Sequence, residues 1–173
     1  MKFDRLLEAG YGSGVSMPVL KQYCADLYGI DIHHKAENVQ AILTEIDGCA
    51  HLYSGSVSEM PFPDAYFGCI VSVSTLEFVV DLELGCREMQ RVLSPDGIVA
   101  VVTPRQSWLL DLGLWVLTGE RAEVDYAGRR ESVIATLLRC FRQEERISVP
   151  RADGIMPTIY TGLKLKARNL SHG

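Results

Sequence analysis

The stretch Leu6-Leu7-Glu8-Ala9-Gly10-Tyr11-Gly12-Ser13-Gly14 decides the fold. Its first half is an apolar run of strand length, and its second half sets a glycine at every other position. Glycine reaches left-handed backbone conformations without steric penalty and carries no Cβ to hold a ligand away. A helix-period segment, residues 17–28, follows at once, with Ser16 as its expected cap and Pro18 in its first turn. A strand, a glycine turn and a helix in that order open a parallel α/β unit, whose helix start offers free N–H groups. The next strand, residues 27–31, ends in Asp31, seventeen positions after Gly14.

Working outward, a second helix is expected at 35–46 and a third strand at 50–55, then a turn-rich stretch with Pro61, Pro63 and Asp64. Residues 67–73 are mostly apolar and β-branched, which predicts a central strand buried on both faces. Residues 82–93 repeat apolar side chains at helical spacing until Ser94-Pro95-Asp96-Gly97 stops them, and 98–103 form the next strand. Five strands alternating with helices require a parallel sheet with right-handed crossovers. The last third differs. Residues 108–117 and 132–138 read as helices, while 140–149 and 158–167 read as extended segments joined by a hairpin connection at 150–157. The alternation in the last of these suits an antiparallel ribbon on the sheet edge.

The chain has 173 residues, 47% hydrophobic and 23% charged, which predicts a single domain over 1–173. The net charge of −5 argues against a general polyanion binder, so no nucleic-acid partner is expected. Residues 129–168 nonetheless carry a local charge of +5, read as a solvated face or as a basic rim for an anion. Five cysteines occur with no CxxC pair, mostly inside apolar runs, so buried reduced thiols are expected rather than a disulfide framework or a metal site. No signal peptide is expected, and the greasy run at 108–117 is broken by Asp111 and Gly113. A cytoplasmic protein without a membrane span is expected.

Ligands of open parallel sheets bind at the carboxyl ends of the strands where strand order reverses, so the glycine turn is the expected floor of a nucleotide-like site. A dinucleotide fingerprint needs a third glycine where Val15 stands, which argues against a nicotinamide cofactor. Asp31 can accept both hydroxyls of a ribose.

With these residues placed, the chain resembles the class I S-adenosylmethionine-dependent methyltransferases, and more narrowly the small-molecule group that includes quinone-biosynthesis enzymes. The matching segments are Glu8–Gly14, Asp31 in Gly29-Ile30-Asp31-Ile32, residues 55–64, residues 67–77, and Arg91-Val92-Leu93-Ser94-Pro95-Asp96-Gly97. The resemblance implies a three-layer Rossmann-like, mostly parallel seven-stranded sheet with helices on both faces and an antiparallel C-terminal edge hairpin. It implies S-adenosylmethionine as cofactor and methyl transfer to a small-molecule acceptor. It assigns Gly10, Tyr11, Gly12 and Gly14 to the cofactor turn, Glu8 to the cofactor's ammonium, Asp31 to the ribose, Ile32 to the adenine face, Ser56 and Val57 to the adenine edge, and Val73 to the methionine end.

Departures from the family pattern fall at Ser56, Gly68, Phe78 and Asp96, and the single domain is expected to lack the lid helices usual in the family before the first strand. The expected lack of a lid and the changes at Ser56, Gly68 and Phe78 motivate an alternative, a degenerate methyltransferase-like subunit that binds a protein partner without catalysis, the partner being another subunit or a second copy of the chain. Methyl transfer needs alignment more than a base, and the sequence offers no catalytic dyad. Glu77 is a candidate base, Arg105 a candidate for an anionic acceptor, and the 108–117 run a candidate pocket wall. His33 and His34 are expected at the adenine rim or the surface, and neither His51 nor His172 has a nameable partner.

Overall fold

A computed structural model describes residues 2–34, 36–45, 50–104, 125–149 and 160–168. Seven strands form one sheet: β1 (Phe3–Ala9), β2 (Cys24–Asp31), β3 (His51–Ser54), β4 (Phe67–Val73), β5 (Leu93–Pro104), β6 (Phe141–Val149) and β7 (Tyr160–Ala167). The described helices are α1 (Met17–Leu20), α2 (Ala36–Glu45), α3 (Leu82–Val92) and α4 (Asp125–Cys140). The strand order is β3-β2-β1-β4-β5-β7-β6, parallel through β5 and antiparallel in the last two pairings. The expected α/β sheet with its antiparallel C-terminal edge is therefore present, and β7 inserts between β5 and β6. The runs at 105–124 and 150–159, with the proposed helix at 108–117, Arg105 and the hairpin connection, lie outside the described residues, as do Cys49 and His172.

Side chains on a strand alternate between faces, so consecutive apolar residues feed two cores. Leu7, Ile30, Ile70 and Val99 join Met89, Val133, Leu137 and Leu165 in one cluster, on the α3 and α4 side. Leu6, Leu27, Cys69 and Val71 join Met17, Val39 and Leu43 in the other, on the α1 and α2 side. Each fully buried Leu, Ile or Phe contributes about 1.5–3 kcal/mol, so the central strands carry most of the stability. β4 spans the predicted residues, and α3 is capped by Asp81, whose carboxylate accepts the Leu84 N–H at 2.9 Å.

Two local expectations are corrected. The helix expected over 17–28 stops at Leu20, passes through a 3-10 turn (Lys21–Tyr23), and gives way to β2 at Cys24. The first half of β1 needs a ladder partner, and Phe3 pairs with Cys24 while Arg5 pairs with Asp26. That pairing overrides the modest helix preference of these residues. Ser94-Pro95-Asp96-Gly97 does follow the end of α3, but it is absorbed into β5 rather than forming a separate turn. The irregularity appears as a register shift, with Phe67 opposite Leu93 and Cys69 already opposite Ile98.

Candidate functional site

The order of strands reverses between β1 and β4, and an open cleft of about 520 Å³ lies at their carboxyl ends. Three strand ends build it: Glu8, Gly10 to Ser13, Val15 and Ser16 at the end of β1, Asp31 and Ile32 at the end of β2, and Val73 to Thr75 with Phe78 at the end of β4.

The floor is the glycine turn. Gly10, Gly12 and Gly14 have φ of +83°, +52° and +77°. At Gly10 the requirement is absolute, since a Cβ there would stand 2.1 Å from Thr75 Cγ2. Thr75 is drawn in because its hydroxyl donates to the Gly10 carbonyl at 3.2 Å. The Gly10 N–H donates to the Ile30 carbonyl at 2.8 Å, which ties the turn to the end of β2. Ser74 itself holds a positive φ of +50°, an uncommon conformation for a residue with a side chain, and it faces the cleft.

Two carboxylates stand in the wall. Asp31 accepts the Gly12 N–H at 2.9 Å on Oδ2 and the His33 N–H at 3.3 Å on Oδ1. Glu8 is 1% exposed; its Oε1 accepts the Ser16 hydroxyl, and its Oε2 has no hydrogen-bond partner. Burial pushes the Glu8 carboxyl up to about 7, opposed by the Ser16 hydrogen bond and reinforced by the negative charge of Asp31. Ser16 was expected to cap the helix; it makes no cap hydrogen bond and serves Glu8 instead. Because α1 has only four residues, the helix dipole expected at this point is slight.

Of the residues singled out in the sequence, Glu8, Gly10, Tyr11, Gly12, Asp31, Ile32 and Val73 line the cleft together. Gly14 sits behind it, where an added Cβ would meet Val39 Cγ1 at 2.7 Å. Ser56 and Val57 are not among the lining residues. Ser56 is exposed on the loop after β3 with its hydroxyl oxygen accepting the Ser58 N–H, and Val57 is buried in the core on the α3 side. The reason is local: residues 56–59 turn back, with the Glu59 N–H donating to the Ser56 carbonyl at 3.1 Å. Tyr11 is buried with its ring edge-on to His33 at 5.0 Å. Phe78, noted only as a departure, is a half-exposed wall residue at 56%, and Val15 and Ile32 add apolar rim at 83% and 73%. Sequence reading missed Ser13, Ser16, Ser74 and Thr75 as wall residues, although the first two lie inside or beside the glycine motif.

The remaining candidates fall elsewhere. Glu77 is buried at a second, smaller cavity of about 250 Å³ between the post-β4 segment, α3 and α4, and Leu76, Val133 and Thr136 share that lining. His51 begins β3, where its ring lies 4.7 Å from that of Tyr28, and His34 is exposed. Of the basic 129–168 region, Arg142, Lys166 and Arg168 edge an open polar hollow beside Pro95 and Asp96 at the ribbon.

The segment before β4 shows why the Arg91 motif matters. The Arg91 guanidinium donates to both Glu88 oxygens at 2.7 Å, to Asp64 at 2.8 Å, and to the carbonyls of Phe62 and Met60 at 2.8 and 2.9 Å. Glu88 also accepts the Met60 N–H at 2.8 Å, so one ion pair fastens the loop after β3 to α3. No helix among the described residues is long and apolar enough to cross a membrane.

A doubly wound sheet with a glycine-floored, acid-lined cleft at its switch point defines a Rossmann-like α/β protein. Residues 7–101 match the methyltransferase domain family, and the chain belongs to it. It is 34% identical over 116 residues to a demethylmenaquinone methyltransferase of Roseiflexus castenholzii, covering 65% of this chain and 48% of that one. The chain spans about half the length of the curated relatives it matches. Among solved structures, a SAM-dependent methyltransferase from Aquifex aeolicus superposes with a TM-score of 0.73 at 15% identity, covering 93% of this chain and 80% of that one. The N-methyltransferase NodS from Bradyrhizobium japonicum, in complex with S-adenosyl-L-homocysteine, superposes with 0.69 at 17% identity, covering 96% and 79%. At these identities the two structures speak for the fold.

Proposed function

We propose that this chain binds S-adenosylmethionine in the glycine-turn cleft and directs its methyl group to a small-molecule acceptor. The observation that carries the reading is the charge of the cleft. Glu8 and Asp31 line it, and among the described residues none that lines it is Lys, Arg or His. A dinucleotide would bring a pyrophosphate against two acids, whereas a sulfonium and an ammonium are drawn to them. The same chemistry sets aside a nicotinamide oxidoreductase, in agreement with Val15.

The residues present fit the cofactor. The buried Glu8 Oε2 has no protein partner, and Gly10 leaves no room for a side chain between β1 and Thr75. Glu8 would face the cationic methionine end, with Val73 beside it. Asp31 would receive the ribose hydroxyls, and Ile32 would pack under the adenine. Gly10, Tyr11 and Gly12 would shape the floor, with Gly14 closing the turn behind it. The cofactor when bound supplies an activated methyl for in-line displacement. The chain supplies orientation, a preorganised negative wall, and apolar side chains at Val15, Ile32 and Phe78 that exclude water.

Titration calorimetry with S-adenosylmethionine and S-adenosylhomocysteine tests this. Binding of both is expected, and no heat at millimolar ligand would overturn it. Asp31→Ala is expected to weaken binding by about 1–3 kcal/mol, the range for stranding polar partners; an unchanged affinity removes Asp31 from the site.

A further inference from the structure

Asp31 and His33 hold the two peptide groups that flank the Gly12 Cα. The Gly12 N–H donates to Asp31 Oδ2 at 2.9 Å, and the Gly12 carbonyl accepts from His33 Nε2 at 2.7 Å. His33 closes the arrangement on itself, because its own N–H donates to Asp31 Oδ1 at 3.3 Å. Its ring stands edge-on to Tyr11 at 5.0 Å, and its carbonyl accepts the Ser54 hydroxyl at 3.0 Å from the neighbouring strand. These contacts converge on His33 and on Gly12, whose φ of +52° lacks any packing reason, since a Cβ there would meet nothing within 4 Å. The glycine is held open by hydrogen bonds, not by steric crowding.

We propose that His33 is a positioning residue: its Nε2–H pins the Gly12–Ser13 peptide and so fixes the Gly12 torsions that set the Tyr11–Gly12 N–H on Asp31, leaving Asp31 with one free lone pair on each oxygen for the two ribose hydroxyls. The proposal rests on the cofactor reading given above and deepens it. A carboxylate has about four acceptor sites. Gly12 and His33 use one on each oxygen, which leaves one on each facing the cleft. If the Gly12 carbonyl loses its donor, the Gly12–Ser13 peptide is free to rotate about the Gly12 torsions, the adjoining Tyr11–Gly12 peptide shifts in response, its N–H leaves Oδ2, and the carboxylate turns with it. His33 touches neither the reacting atoms nor the adenosyl group in this scheme; it acts through Gly12 and Asp31.

The test compares S-adenosylhomocysteine with its 2′-deoxy analogue by calorimetry on three proteins: wild type, His33→Phe and His33→Gln. Phe keeps a ring beside Tyr11 and loses the donor; Gln keeps a donor. Wild type is expected to prefer the ribose form. His33→Phe is expected to lose about two- to tenfold in affinity for the ribose form, the value of one hydrogen bond, and little for the deoxy form, so that the preference collapses. His33→Gln is expected to restore it. Equal losses for both ligands in His33→Phe, no loss for either, or a Gln variant as poor as Phe overturns the proposal. Wild type binding both ligands equally also overturns it, while wild type binding neither overturns the cofactor reading itself. Thermal melting of each variant separates a folding defect from the ligand effect.

Discussion

Two loops follow parallel strands at the same end of the sheet, and they are built on opposite terms. The loop after β3 is closed by Arg91, whose donors meet Glu88, Asp64 and two carbonyls. The loop after β1 is left partly open: it has three glycines at positive φ, it faces Ser74 of the post-β4 segment in the same region of backbone space, and it follows Glu8, one of whose buried carboxyl oxygens has no partner among the described residues. Both loops carry sequence that resembles the family pattern, yet one is a fastening and the other is a receptor. Satisfied polar groups stabilise, whereas an unpartnered buried carboxyl costs stability until a ligand meets it.

The contrast can be broken most forcefully at Gly10. Gly10→Val is expected to cost about 4 kcal/mol or more, because it adds strain at φ +83° to a collision with Thr75. Chemical denaturation measures it, and a loss under 1 kcal/mol would mean the turn yields easily.

Next in size is the proton on Glu8. Its native pKa of about 7 lies above the ordinary 4.5, so the folded state holds the proton more tightly than the unfolded chain. This contribution is complete below about 4.5 and is lost as pH rises towards 7. Glu8→Gln, which resembles the protonated form, is therefore expected to match wild type at pH 4 and to exceed it at pH 8 by up to about 3 kcal/mol without ligand. Denaturation at several pH values reads the difference; a pH-independent gap removes Glu8 as its source. Arg91→Ala sharpens the other side. It is expected to cost about 2 kcal/mol of stability while leaving cofactor affinity within about twofold, since its partners lie outside the cleft. A large affinity loss would join the two loops into one functional unit.

Legibility in the sequence followed the range of the forces involved. β4 and the glycine turn were readable because a run of buried β-branched residues and three alternate glycines are local signals. The helix at 17–28 was misread because the ladder from Phe3 to Cys24 joins residues twenty-one positions apart. Ser16 looked like a cap because caps are local, whereas its partner is Glu8 on the preceding strand. His33 looked peripheral for the same reason: the carbonyl it holds belongs to Gly12, at a separation of 21. Ser56 and Val57 followed the family pattern in sequence, and the turn at 56–59 directed one to solvent and the other to the core.

By itself the sequence determined the alternation of strands and helices, the glycine turn and the acidic residue that closes the second strand, because periodicity, glycine's missing side chain and carboxylate chemistry act over a few residues. Only the tertiary structure decided which oxygen of Glu8 stays unpaired, which peptides around Gly12 are held by Asp31 and His33, and which loop Arg91 secures. Those outcomes depend on side chains meeting across the sheet, where hydrogen-bond geometry and burial select one partner from several that the chain makes available.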